Sequence, residues 1–313
     1  MTNGDAILAV VEPDITPQEV VARAAWLAEL EGCELVLLLC DADVTALAND
    51  FYVSNETRAI AENMRTAQRE ILEDLAAPAR KRNISLTLDV LDERPVAEAV
   101  LQRALDMRPR FVLKGTQYHS DARRAIFVDT DWYLIRTCPY PLWLVKPHEI
   151  AEKPLIIAAV DPTPLRGEKA RGDTLLIDQV IVDQAKAIAA EIGGEVHLLH
   201  TYQPLKGIGA EATRTFKPIR LPVDELSEKI AKEHRARLDA LAASTGIPAS
   251  HTHQLPGAAR DVLPFVARER KADLIVMGAV ARWSRQRSVI GSTAERVLDH
   301  LPCDILIVRP EGR

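Results

Sequence analysis

One stretch near the end of the chain has residue types suited to binding an anion. Gly278 ends a short apolar run, and Gly291, Ser292 and Thr293 open an amphipathic helical pattern. A helix that begins with Gly and then Ser or Thr offers free backbone N–H groups, hydroxyl donors and the positive end of the helix dipole. The pattern predicts a phosphate site, with counter-charge from the intervening Arg282, Arg285 and Arg287. The alternative is that Gly291 permits a tight turn and Ser292 only caps the helix.

The elements that position this stretch occur twice, at a spacing of about 150 to 163 residues. Ile7–Pro13 matches Ile156–Pro162, and Phe111–Gly115 matches Leu274–Gly278. Each half alternates short β-branched runs with helical patterns in the order β-α-β-α-β-α-β-α-β. This order predicts an α/β fold of two tandem, doubly wound parallel sheets, Rossmann-like in each half. We expect domains at 1–150 and 151–313, with the boundary near residues 148–153.

Polar residues and glycines follow the predicted strands in both halves. Ligands of open parallel sheets bind beyond the carboxyl ends of the strands, where the strand order reverses. The second half therefore offers Asp161, Thr201 and Gly278 as candidate site residues. The matching positions of the first half are Glu12, Asp41 and Gly115.

The glycines of the second half have a recognisable spacing. Gly278 is followed after two residues by Ala281, and after nine more by Gly291 and Ser292. In this spacing the chain resembles the universal stress protein family, whose nucleotide motif is Gly, two residues, Gly, nine residues, Gly, then Ser or Thr. The resemblance extends over the second half and includes Asp161 and the Leu-Leu-His before Thr201. The first half resembles a diverged copy, so the chain looks like a tandem, two-domain member.

The resemblance implies a fold like that of the adenine nucleotide alpha hydrolases and a site for ATP or a related adenine nucleotide, with Mg²⁺ as a candidate companion ion. It implies a role in the stress response as a sensor or signalling module. Ala281 departs from the motif, and its methyl group stands where backbone would approach the ligand. The effect of this residue on affinity stays open, and nucleotide binding is still expected. The implied roles are adenine contact for Asp161, pocket lining for Thr201, ribose and phosphate contact for Met277 and Gly278, motif positions for Ala281 and Arg282, and phosphate binding for Gly291, Ser292 and Thr293.

The first half departs further from the motif. Alignment of Pro139 with Pro302 sets Val128 against Gly291 and Asp129 against Ser292. A carboxylate at a phosphate position repels the ligand, so we expect no nucleotide site in the first half. Four residues near one rim suit either core packing or a pocket for another ligand, and this alternative stays open: Lys114, Tyr118, Phe127 and Trp132.

Composition excludes several other classes of protein. The 39 basic and 45 acidic residues are interspersed, which does not favour duplex nucleic acid as the main partner. No apolar run approaches the roughly 18 residues of a membrane span, and we expect no signal peptide. The four cysteines have no CxxC spacing, which favours a reducing cytoplasm. A homodimer or another protein partner remains an alternative.

Catalytic signatures are weak in this sequence. It contains no P-loop motif, and no catalytic residue is assigned. A zinc site formed by His197, His200, His251 and His253 is less favoured than polar strand-end histidines, since no carboxylate or cysteine stands beside them at ligand spacing. Two rivals to the nucleotide sensor remain: a slow ATP hydrolase, whose only nameable carboxylate is Asp161, and a scaffold that binds proteins without a nucleotide.

Overall fold

The computed structural model describes residues 4, 6–40, 55–91, 95–116, 124–163, 168–204, 223–279, 298 and 300–310. The chain divides into two compact units. The first consists of Met1–His148 with Asp304–Ile307, and the second of Glu149–Cys303 with Val308–Arg313. Four residues near the end of the chain therefore belong to the first unit.

The first unit alternates strands and helices, as its sequence pattern predicts. Its elements are β1 (Ala6–Val11), α1 (Pro17–Glu31), β2 (Glu34–Leu39), α2 (Asn55–Arg80), β3 (Leu86–Val90), α3 (Val96–Met107), β4 (Phe111–Gly115), α4 (Arg124–Thr137) and β5 (Leu142–Val145). Strands β1, β2, β4 and β5 are buried almost throughout, because a parallel sheet covered by helices hides both of its faces.

The strand order of the first unit is β3-β2-β1-β4-β5, with parallel pairing throughout. The last strand of the chain, β10 (Asp304–Val308), pairs antiparallel with β5. The order reverses between β1 and β4, which makes their carboxyl ends the expected ligand crevice of this unit.

The second unit repeats the arrangement. Its elements are β6 (Leu155–Val160), α5 (Glu168–Ile192), β7 (Glu195–Tyr202), α6 (Val223–Thr245), a 3-10 turn (Ala249–His251), β8 (Thr252–Pro256), α7 (Ala259–Arg270) and β9 (Leu274–Gly278). The strand order is β9-β6-β7-β8, again parallel. The reversal lies between β6 and β9. The predicted fold class is confirmed.

One buried carboxylate holds β10 in the first unit. Asp304 is fully buried, and its side chain accepts hydrogen bonds from the Trp143 indole at 2.8 Å and the Lys146 backbone N–H at 2.9 Å. The Arg23 guanidinium lies 3.4 Å from the same carboxylate. Trp143 also packs edge-on against Phe111, with ring centroids 5.8 Å apart. The strand is therefore anchored by charge and by hydrogen bonds to the core of this unit.

Among the described residues, no helix is both long enough and apolar enough to cross a bilayer.

Candidate functional site

The second unit brings four of the predicted site residues to one edge of its sheet. Parallel register pairs Val160 with His200, so Asp161 and Thr201 follow side by side at the carboxyl ends of β6 and β7. On the other side of β6, strand β9 pairs with β6 as far as Val276. It then continues to Met277 and Gly278. These residues flank the reversal of strand order, where α/β sheets bind ligands.

Asp161 is held by its own loop and by α5. Its backbone N–H donates to the buried Asp178 carboxylate at 3.0 Å. The Thr163 hydroxyl donates to Asp161 Oδ1, and the Asp161 side chain is 42% exposed. The carboxylate is thus fixed in orientation and still reachable from solvent.

A histidine pair lies next to Asp161, and sequence reasoning had found only one member of it. His200 Nδ1 lies 3.1 Å from the Val160 carbonyl and 3.8 Å from Asp161 Oδ1, and His200 Nε2 lies 2.7 Å from His234 Nδ1. Since a carbonyl only accepts, His200 donates from Nδ1. When the His200 ring is neutral, its Nε2 accepts from His234 Nδ1. His234 lies on α6, and its sequence neighbours carry no motif.

Partial burial lowers the pKa of His234, and Arg237 contributes in the same direction. Asp161 and Glu233 favour the charged ring but do not outweigh burial. The His234 ring is therefore held neutral near pH 7, with Nε2 available as an acceptor.

Gly278 has a packing reason to lack a side chain. A Cβ at this position would lie 2.9 Å from Ile177 Cγ1 and 3.3 Å from Ile177 Cδ1. A side chain at this position would therefore require Ile177 on α5 to shift.

Five of the predicted site residues lie outside the described part of the chain: Ala281, Arg282, Gly291, Ser292 and Thr293. Tyr118 of the first half lies outside it as well, as do the side chains of Phe127, Val128 and Asp129.

The matching crevice of the first unit is filled by charged side chains. Lys114 on β4 is 1% exposed. Its ammonium forms ion pairs with Glu12, which follows β1, and with Asp131 Oδ1 on α4 at 2.6 Å. Burial alone would lower the pKa of Lys114, but the two carboxylates raise it above its ordinary value. Lys114 is thus a buried cation between two acids and is unavailable to a ligand at the rim.

The loop after β1 covers the same crevice. A Cβ on Gly115 would lie 2.4 Å from the Ile15 carbonyl and 2.8 Å from the Thr16 hydroxyl. Among the described residues of the second unit, the nearest neighbours of the equivalent Gly278 are side-chain atoms of α5.

The expectation that no carboxylate stands beside the strand histidines is wrong. Glu195 Oε1 lies 3.2 Å from His197 Nε2 and 2.7 Å from His251 Nε2. The sequence did hold a signal, since Glu195 and His197 are two residues apart on one strand and so share a face. The position of His251 depends on the register between β7 and β8, which the sequence does not specify.

Comparison with known proteins agrees with this architecture. The sequence pattern of the universal stress protein family matches residues 5–146 and 177–309. Universal stress protein E of Escherichia coli (strain K12) is 26% identical over 309 residues, covering 97% of this chain and 94% of that protein.

Two crystal structures share the fold over nearly the whole chain. PA1789 of Pseudomonas aeruginosa PAO1 aligns with a TM-score of 0.69 and 23% identity, covering 98% of this chain and 93% of that one. A universal stress protein of Archaeoglobus fulgidus DSM 4304 aligns with a TM-score of 0.63 and 15% identity, covering 97% and 96%. With two matches to one family pattern and two units of the same strand order, the chain belongs to the universal stress protein family as a tandem member.

Proposed function

We propose that the chain binds one adenine nucleotide, ATP or a close relative, in its second unit, and that it acts as a nucleotide-dependent sensor in the stress response. The observation that carries this proposal is the contrast between the two crevices. Asp161 is half-exposed beside Gly278, whereas Lys114 fills the matching place in the first unit.

The described residues fit one end of such a ligand. Asp161 and the neutral His234 offer acceptors, which suit the amino group of adenine, and Thr201 stands beside them at the strand end. The phosphates would be held by Gly291, Ser292 and Thr293, which lie outside the described residues. Hydroxyl and backbone N–H donors at a helix start supply the complementary chemistry for phosphate.

The first unit does not fit a nucleotide. Glu12 and Asp131 would repel phosphates, and displacing Lys114 from them would leave buried carboxylates unpaired. We therefore infer a stoichiometry of one nucleotide per chain.

Titration calorimetry of the full chain with ATP tests the proposal. We expect one site, and we expect Gly291→Asp to weaken binding by at least about 100-fold, because it adds both a Cβ and a repelling charge. Ala243→Asp adds the same charge on an exposed face of α6 and should leave binding unchanged. Two equivalent sites, or unchanged affinity in a folded Gly291→Asp chain, would contradict the proposal.

A further inference from the structure

The amino ends of β7 and β8 carry a second cluster of polar side chains. Glu195, the first residue of β7, and His197 point to the same face, and His251 directly precedes β8. The rings of His197 and His251 stack with centroids 4.4 Å apart. Glu195 and Thr201 lie near opposite ends of β7, about 20 Å apart at the usual rise of a strand, so this cluster is separate from the nucleotide crevice.

Three ligand atoms converge in this cluster. Glu195 Oε1, His197 Nε2 and His251 Nε2 supply one carboxylate oxygen and two imidazole nitrogens, and these atoms all lie within 4.8 Å of one another. Ligand atoms in a tetrahedral zinc site are about 3.3 Å apart, given bonds of about 2.0 to 2.1 Å. Small side-chain rotations on an exposed strand end suffice to reach that spacing.

A second layer of contacts fixes the orientation of His197. Its Nδ1 lies 2.9 Å from His253 Nε2, which in turn lies 3.2 Å from the Arg270 guanidinium. A guanidinium can only donate hydrogen bonds. The shorter of the two contacts between Arg270 and the His253 ring is the one to Nε2, which favours Nε2 as the acceptor. His197 Nδ1 then donates to the same His253 Nε2. In that tautomer the neutral His197 turns its Nε2 lone pair toward Glu195. The His197 Nε2 lone pair and the Glu195 carboxylate then face each other as two acceptors. A cation bound between them stabilises this arrangement.

We propose that Glu195, His197 and His251 form a binding site for a divalent transition metal ion, with Zn²⁺ as the best-matched candidate. Two imidazoles and one carboxylate are ligands that zinc takes in proteins, and Ca²⁺ and Mg²⁺ prefer oxygen alone. His253 acts as the outer partner that orients His197, as hydrogen-bonded neighbours of metal-bound histidines commonly do. Glu195 is 55% exposed, so water can reach the remaining coordination positions of a bound ion.

Calorimetric titration of the metal-stripped, tag-free full chain with ZnCl₂ tests this site. We expect one Zn²⁺ bound by the wild type, with affinity lowered at least about tenfold by His251→Ala and by Glu195→Gln, since each removes a direct ligand. His300→Ala removes an exposed histidine that is not in the cluster and should leave the affinity unchanged. Co²⁺ in place of Zn²⁺ should give the visible absorption of a low-symmetry site in the wild type and lose it in both variants.

Thermal unfolding distinguishes the loss of a metal ligand from the loss of the folded structure. Without metal, the wild type and both variants should unfold within a few degrees of one another, because the cluster is at an exposed strand end. Excess Zn²⁺ should raise the midpoint of the wild type more than that of either variant, because a metal that binds only the folded chain stabilises it. A chain that does not bind Zn²⁺, or that binds it equally well after both substitutions, would overturn the proposal and leave the cluster as a hydrogen-bonded network.

Discussion

Lys114 has the environment of a core residue and the chemistry of a surface residue. Its ammonium is fully buried between Glu12 and Asp131, at the point where the strand order of the first unit reverses. A buried ion pair of this kind adds little net stability compared with an apolar core, but removing one partner leaves an uncompensated charge. The cluster therefore makes the first unit sensitive to any single change among its three members.

We expect Lys114→Met to lower the free energy of unfolding of the first unit by about 3 to 5 kcal/mol, because the buried Asp131 and the largely covered Glu12 lose their shared cation. Urea unfolding followed by tryptophan fluorescence measures this. In a Trp283→Phe background the remaining tryptophans, Trp26, Trp132 and Trp143, all lie in the first unit.

The triple variant Glu12→Gln, Lys114→Met, Asp131→Asn is the matched control, since it removes all three charges together. We expect it to regain most of the stability that the single variant loses. A loss below about 1 kcal/mol in Lys114→Met would mean that the ion cluster is solvated, contrary to the structure.

His234 allows a pH prediction. Partial burial lowers its pKa from an ordinary value of about 6.5, so below that pH the unfolded chain binds a proton that the folded chain resists. Stability should therefore fall as the pH decreases through this window, and His234→Gln should reduce the fall. An NMR titration of the ring should give a midpoint below the ordinary value. A midpoint at or above it would mean that the attraction of Asp161 outweighs burial.

At the scale of elements, the buried Asp304 links β10 to side chains of the first unit, in addition to the pairing of β10 with β5. The Asp304 carboxylate accepts hydrogen bonds from the Trp143 indole and the Lys146 backbone N–H, and it lies beside the Arg23 guanidinium. These groups are buried from solvent. Hydrogen bonds to a buried charge are worth more than those between neutral groups, and orphaned partners cost the full desolvation penalty.

We expect Asp304→Ala to destabilise the first unit by about 3 to 5 kcal/mol, because it leaves Arg23 as a buried cation without its carboxylate. Asp239→Ala, which breaks an exposed pair with Arg235 on α6, should cost about 0.5 kcal/mol or less. The same fluorescence-detected urea unfolding measures the first variant, and far-ultraviolet circular dichroism measures the second. Equal, small effects would show that Asp304 does not anchor the strand.

The elements could be predicted from sequence because their signals are local. Buried parallel strands are short runs of apolar aliphatic residues, as at Ile156–Val160, and Gly32 marks the end of α1 with its positive φ of 62°. Asp161 and Gly278 could be placed near each other because strand ends meet at one edge. The ion pairs of Lys114 and the position of Glu195 beside His251 could not be predicted, since both depend on contacts between elements distant in sequence.

At the scale of the whole molecule, the two units share one strand order but have different side chains where that order reverses. Both units reverse strand order next to their first strand, but Asp161 of the second unit is replaced by Glu12 in the first, and Met277 by Lys114. Glu12 keeps a carboxylate at the first position, and Lys114 adds a cation that pairs with Glu12 and with Asp131. In the first unit the side chains of the protein itself therefore occupy the place where the strand order reverses.

The position of β10 also has a consequence for synthesis of the chain. At about 5 to 20 residues per second, the ribosome makes β10 roughly 8 to 30 seconds after β5. During that interval the apolar strand Leu142–Val145 is the unpaired edge of a nascent first unit, and such edges are prone to pair with other chains. A premature stop codon late in the message would therefore damage the half of the protein that was made first.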